Sequence, residues 1–210
     1  MDSHSVIEIP EELIDDIQFE IPEAPYDAIV SKLRESIISF CETSHYWQEE
    51  IDPVAIVADT ATYELTTARS VSLVSVLSVK SDERNLIRSQ ADDIEFKYWQ
   101  PNPFSIEVSP IDRLENQTFT IVAAVKPVLY NNSFKFSANL LANYRVALIA
   151  GAKSLLYKTP RKAWSDLKQA AINDTIFEAA AQDCLLMQSR GYSRLPDRSI
   201  SAVTKKRNFY

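Results

Sequence analysis

The chain carries few side chains with which to do chemistry. Its imidazoles are His4 and His45, and its thiols are Cys41 and Cys184. His4 falls in a stretch interrupted by Pro10, Pro22 and Pro25, where no long helix is expected to position it. His45 stands beside Tyr46 and Trp47 at the end of a helical pattern, so it reads as a capping or packing residue rather than a general base. No pair of His, Cys or Asp positions has zinc-ligand spacing. Two isolated thiols suit a reducing cytosol, and nothing in the spacing supports a disulfide between them. The carboxylate pairs Glu11-Glu12, Asp15-Asp16, Glu49-Glu50 and Asp92-Asp93 lie in polar surroundings or at strand edges. Solvated charge explains them better than acid–base work. With only Gly151 and Gly191, the chain holds no Walker loop, GxGxxG turn or GxSxG elbow, each of which needs glycine for close backbone approach. The expectation is no catalytic, cofactor-binding or metal-binding residue, in a protein that packs and docks rather than an enzyme.

Aromatics are the remaining candidates for binding. Tyr46, Trp47, Tyr98 and Trp99 either line a ligand groove on a β-rich lobe, as in a sugar-binding module, or seal its junction with the helices. Sealing is the simpler reading. The sequons at Asn116 and Asn173 read as chance matches.

Charge narrows the partners. A formal net charge of −7 argues against non-specific nucleic-acid binding as the main activity. The charge is segregated: eight acidic residues and no Lys or Arg precede Tyr26. Arg190, Arg194, Arg198, Lys205, Lys206 and Arg207 stand against only Asp197 in residues 190–210. Opposed ends of this kind read as arms that dock on other surfaces. No apolar run is long enough to span a bilayer, and no N-terminal secretory pattern is present, so no membrane partner is expected.

Behind these residues the chain divides into helical and β-rich parts. Tyr26, Val30, Leu33, Ile37, Phe40 and Cys41 recur at helical steps, with Pro25 opening the helix and Asp27 near its positive end. Residues 46–136 are rich in β-branched residues and alternate in type, as in IEFKYW, FSIEV and TFTIVAAV. They predict an antiparallel β-sandwich-like lobe or curled sheet, with prolines beside its strands. Arg84–Asp93 fits either a short strand and turn or one helical turn. Helix returns after Ser137 with a stripe of Leu141, Tyr144, Leu148, Ala152 and Leu155, and Thr159-Pro160 breaks it. A second helix is expected from about Lys162 to Arg190, with Trp164, Leu167, Ala171, Phe177, Ala181 and Cys184 inward, and Gly191 at its C-cap. The fold class is α+β. Residues 26–45 and 137–190 form a helical bundle, residues 46–136 an inserted β-lobe, and residues 1–25 and 191–210 extended arms.

Gly151 is the odd residue in this pattern. A glycine inside a helix costs roughly 1 kcal/mol relative to alanine, so a compensating reason is expected. With Ala147, Ala150 and Ala152 beside it, Gly151 makes a smooth patch for a neighbouring helix. Pro160 and Trp164 then turn and lock the hairpin.

The run LRESIISFCETSHYW (Leu33–Trp47), the strands EEIDPV and TYEL, the strand FTIVAAVKP and the helical LANYRVALIAGAKSLLYKTPRKAWSDLKQA occur in this order. In that order and spacing they resemble head-to-tail adaptor proteins of tailed bacteriophages, over about Tyr26 to Tyr210. Arg161 and Lys162 between proline and tryptophan depart from the family's pattern at the hairpin corner. The resemblance implies a structural virion protein of the neck, assembled in the bacterial host cytoplasm. Its partners would be further copies in a ring, usually dodecameric, the portal protein, and a tail nozzle or tail tube protein. Double-stranded DNA would pass through the channel without specific binding. The resemblance also implies a portal-docking arm, with Lys205, Lys206 and Arg207 supplying charge and Phe209 and Tyr210 supplying apolar anchors. A β-lobe that binds glycan through Trp47, Tyr98 and Trp99, as an adhesion module of a phage tail, is the alternative.

Overall fold

A computed structural model describes residues 5–55, 57, 60–81, 84–89, 96–109 and 118–189. In chain order the elements are β1 (Val6–Ile7), α1 (Glu11–Glu20), α2 (Tyr26–Ser44), β2 (Gln48–Ala55), β3 (Thr62–Glu64), β4 (Val71–Lys80), β5 (Asn85–Arg88), β6 (Lys97–Asn102), β7 (Ser105–Ser109), β8 (Thr118–Pro127), β9 (Phe136–Ser137), α3 (Ala138–Tyr157) and α4 (Leu167–Ser189). The protein is thus mixed α+β, with four helices and one large curled sheet among the described residues.

The opening segment differs from the expected extended arm. Val6 and Ile7 pair antiparallel with Ser137 and Phe136, and Glu11–Glu20 is helical. Pro10 and Pro22 bracket this helix instead of breaking it, and Glu11 and Glu12 sit favourably in its first turn. A ten-residue helix is marginal in water, so packing must hold it. Leu13, Ile14, Ile17 and Ile21 are buried with Ile29 and Leu33 of α2 and Ala152 and Leu156 of α3. Each such burial contributes about 1.5–3 kcal/mol. The acidic outer side of α1 is tied to α3 by Asp16–Arg145 at 2.7 Å and Glu20–Lys153 at 2.8 Å.

Helix α2 starts after Pro25 and ends where His45 turns left-handed, with φ 54°. Leu33, Ile37, Phe40 and Cys41 face inward, while Tyr26 remains about half exposed.

The sheet runs β2-β8-β4-β5-β6-β7-β3. Its pairs are antiparallel except β5 with β6, which are parallel through Ile87↔Lys97 and Arg88↔Tyr98. This corrects the all-antiparallel expectation, since side-chain alternation is the same for either direction. The expected sandwich is one sheet that curls. Ile51 of edge strand β2 and Tyr63 of edge strand β3 lie in the same apolar cluster, with Phe119, Ile121 and Val76 between them. Prolines mark the irregular places, because they lack a ladder donor. The β2–β8 register shifts between Ile51 and Val54, around Pro53. The β6–β7 register shifts between Trp99 and Asn102, around Pro101. Of Arg84–Asp93, Asn85–Arg88 forms strand β5.

A second cluster joins sheet to helices through Trp47, Val71, Val125, Phe136, Phe40 and Leu148. Helix α4 begins at Leu167 rather than near Lys162, because Asp166 accepts hydrogen bonds from the backbone N–H groups of Lys168 (2.9 Å) and Gln169 (3.1 Å). Its inward face differs from the expected one in its first half. Leu167 and Ala171 are exposed, and Ala170 and Asn173 are buried.

Candidate functional site

The place where α2, α3 and α4 meet is built around Gly151. Small residues on α3 (Ala147, Ala150, Gly151 and Ala152) are all buried. A Cβ on Gly151 would press on Oγ of Ser36 and lie 2.6 Å from Cδ2 of Phe177. Ser36 from α2 and Phe177 from α4 therefore occupy the space a side chain would need. Ser36 is buried, and its hydroxyl donates to the Leu148 carbonyl at 2.8 Å. This satisfies a polar group that would otherwise be costly inside the junction. Phe177 meets Phe40 edge to face at 5.8 Å, and Phe40 lies 4.9 Å from Tyr144. At Tyr144 the backbone leaves helical geometry (φ −129°, ψ 21°), which kinks α3.

A cleft of about 530 Å³ opens over Gly151 between α2 and α4. Glu35 and Ser39 of α2 and Asp174, Glu178 and Gln182 of α4 line it. At its end Ser154 donates to Asp174 at 2.5 Å, and Lys158 pairs with the same carboxylate at 2.6 Å. Burial pushes the Asp174 carboxyl up, yet the hydrogen bonds from Lys158 and Ser154 outweigh it and hold the group below its usual range.

Beyond Lys158 the chain reverses in a compact corner. Arg161 takes a left-handed conformation with φ 59°. The Ser165 hydroxyl donates to the Thr159 carbonyl and accepts from the Lys162 backbone at 3.1 Å. Pro160 is exposed, so it shapes the turn without packing between the helices. Trp164 is half-buried against the α1–α2–α3 cluster, with Lys162 Nζ 5.8 Å from its ring centre.

The titratable candidates are dispersed. Burial pushes the Cys41 thiol up to about 12. Burial also raises Cys184, against opposing hydrogen bonds from Tyr144, Ser44 and Gln188. Both thiols stay protonated at neutral pH and are poor nucleophiles. His45 caps α2, and burial first, then the Arg88 charge, lowers its pKa. Among the described residues no group of three His, Cys, Asp or Glu side chains could hold a metal ion. No described helix is long and apolar enough to cross a membrane.

The four aromatics singled out from sequence are not brought together. Trp47 is buried at the sheet–helix junction and Tyr98 in the core of the sheet, each 2 % exposed. Tyr46 packs edge-on to Tyr144 at 5.1 Å and accepts from the Asn143 amide at 2.8 Å. Trp99 alone faces a shallow hollow, beside Lys97 and Glu107. A glycan groove using Trp47, Tyr98 and Trp99 together is therefore overturned: two of its three rings are core. Asn173 is also buried, its amide donating to the Gln169 carbonyl at 2.9 Å.

Lys205, Lys206, Arg207, Phe209 and Tyr210 lie outside the described residues, as do His4, Gly191, Asn116 and Asp92-Asp93. Sequence reasoning missed Ser36 and Asp174, polar residues that pin helices together. It also missed α1, although Leu13, Ile14, Ile17 and Ile21 have helical spacing between Pro10 and Pro22. Comparison with known protein families and with curated proteins returns no match.

Proposed function

We propose that this chain is a head-to-tail adaptor of a tailed bacteriophage, a structural protein that forms a ring between portal and tail and continues the DNA channel. In this reading the helices form a bundle that carries the curled sheet as a lobe. The observation that carries the proposal is the α3–α4 corner. The segment LANYRVALIAGAKSLLYKTPRKAWSDLKQA, which bears the family resemblance, supplies Gly151, Leu148 and Ser154, which meet Ser36 of α2 and Phe177 and Asp174 of α4 where three helices come together. A rigid corner suits a protein that transmits load between two larger assemblies.

The ring is dodecameric in this proposal and assembles in the host cytoplasm into the virion neck. Its contacts are heterologous, one face of a subunit meeting a different face of the next. A net charge of −7 lets DNA pass, since an acidic wall leaves phosphates unneutralised. Residues 201–210 dock on the portal, and the opposite end of the ring receives a tail nozzle or tail tube protein.

Two measurements test this reading. The purified chain is mixed with the portal protein of the same phage and imaged by electron microscopy, where ring density beneath the portal is expected. Absence of that density overturns the adaptor reading. Removing residues 201–210 is expected to abolish co-sedimentation with portal, and unchanged binding removes the arm from the proposal.

A further inference from the structure

Among the described residues nothing covers one apolar groove on the outer side of the helices. Its walls are α1 and α4 and its floor is α3. Phe19 projects from α1 with 90 % of its surface exposed, and Val146 on the floor is 71 % exposed. Hollows of about 340 and 260 Å³ share Val146 and Ile176, so the groove runs from Phe19 past Ala142 to Ala180. The α4 wall carries the same face on to the end of the helix. Ile172, Ile176, Asp183 and Met187 follow at steps of four, seven and four, and all four are exposed. That spacing places them on one side of α4, opposite the buried Ala170, Ala181 and Cys184. The exposed stripe leads to Ser189, where α4 ends and residues 190–210 begin.

We infer that residues 191–200 of the same chain are the groove's occupant, running back along α4 from its C-terminal end towards Phe19. Reach, composition and charge each favour them. From Ile172 to Ser189 the helix spans about 26 Å at 1.5 Å per residue, and ten extended residues span about 33 Å. Gly191 tolerates the left-handed backbone that ends a helix and reverses the chain, and Pro196 turns Leu195 away from helical geometry. Tyr192, Leu195 and Ile200 bring apolar side chains to the groove. On the rim, three carboxylates of α1, Glu12, Asp16 and Glu20, share two cations of α3, Arg145 and Lys153. Asp183 makes no ion pair among the described residues. The rim therefore stays acidic after its own pairs are made, and residues 191–200 carry Arg194 and Arg198 against only Asp197. An extended chain covers about two helical residues with each of its own. Reversal at Gly191 thus sets Arg194 level with Asp183 and Ile200 close to Ile172. A segment tethered at the end of the same helix also meets the groove at a far higher effective concentration than a second copy or a separate partner. The seat fixes where residues 201–210 leave the molecule. They emerge beside the α3–α4 corner, not at the sheet, which adjoins the end of α4 through Gln48 and Gln188. The inference concerns the chain alone and does not depend on the adaptor reading.

The test places a photo-crosslinker at position 19 of the full chain and irradiates an equal mixture of isotopically light and heavy copies at about 1 µM, where weak self-association is negligible. The expected product joins position 19 to residues 191–200 within one copy, light to light or heavy to heavy. Mixed light–heavy products, or crosslinks only to other segments, overturn the inference. Chymotryptic cleavage after Tyr192 gives a second readout, each rate being taken relative to a free peptide of residues 186–210 with the same sequence. In the full chain it is expected to be slowed at least about 10-fold, because cleavage follows the undocked population. The double variant Phe19→Asp/Val146→Asp, at exposed positions, is expected to regain the peptide's rate while keeping the circular dichroism of the parent chain. Phe104→Asp, on the β6–β7 turn, is expected to leave cleavage slow. Asp183→Arg should raise the rate about 3-fold, the scale of one exposed ion pair, and adding Arg194→Asp should reverse that rise. A full chain cut as fast as the peptide, or a groove variant cut as slowly as the parent, overturns the inference.

Discussion

The curled sheet and the helices solve the same packing problem to different degrees. The sheet curls over its own apolar face: its two edge strands bring Ile51 and Tyr63 into one cluster with Phe119 and Ile121, and Tyr63 and Phe119 meet edge to face at 5.5 Å. Among the described residues of this lobe, the exposed large apolar side chains Val57, Ile87 and Phe104 stand on three separate segments. The helices are locked more tightly at their centre, where Gly151 permits contact that any Cβ would block, yet they leave Phe19, Val146, Ile172 and Ile176 together on one side. Curling lets a sheet satisfy its apolar face alone. Packed helices have a stripe to bury on each side that is not polar, and α4 has two.

Four measurements break or sharpen that contrast. The largest effect is expected from Phe119→Ala, which empties the centre of the sheet. About 3–5 kcal/mol should be lost in urea unfolding, and a loss under 1 kcal/mol would mean the sheet core is not the close-packed unit described. Gly151→Leu attacks the helical junction by overpacking rather than by cavity. It should cost about 3 kcal/mol, since Ser36 and Phe177 stand where the new side chain must go. The same change at exposed Ala179 should be nearly neutral, and equal costs at the two sites would refute the close approach.

Asp174→Asn should cost about 1 kcal/mol at neutral pH, the scale of a partly exposed charged hydrogen bond. Because the folded carboxyl titrates below its unfolded value, its contribution is complete above the unfolded pKa and is lost as pH falls through the folded one. The gap between D174N and the parent chain should therefore close in acid, and a gap that stays constant down to about pH 2 contradicts the Lys158–Ser154–Asp174 cluster. The smallest effect concerns reactivity alone. Cys41, buried and raised to about 12, should resist a thiol reagent at about pH 8 in the native protein and react on unfolding. Prompt native labelling would show that the sheet–helix junction opens readily.

Legibility in the sequence followed local signals closely. Helix α2 reads from Pro25 to Ser44 because a proline, an acidic first turn and a clean three-and-four spacing agree. The run TFTIVAAV reads as a strand with Phe119, Ile121, Ala123 and Val125 inward, and all four are buried. Helix α4 was harder. Its apolar residues go almost all the way round, so spacing could not choose between Leu167 with Ala171 and Ala170 with Asn173. A buried Asn that bonds back to Gln169 also looks polar, hence exposed, in any one-dimensional reading. Helix α1 was hidden by its flanking prolines and by its charge. The acidic residues that suggested a free arm are the outer face of a docked helix, held by Arg145 and Lys153, which lie more than a hundred residues away.

The sequence by itself determined where helix gives way to strand, where prolines interrupt the ladder, and that Gly151 needs a neighbour close by. These follow from backbone sterics and side-chain period, which act within a few residues. Only the tertiary structure decided that the sheet curls into one core, that β5 and β6 run parallel, that α1 docks, and which side of α4 the other described residues leave exposed. Those outcomes depend on which distant surfaces fit, and burial is a property of the pair rather than of either strand or helix alone.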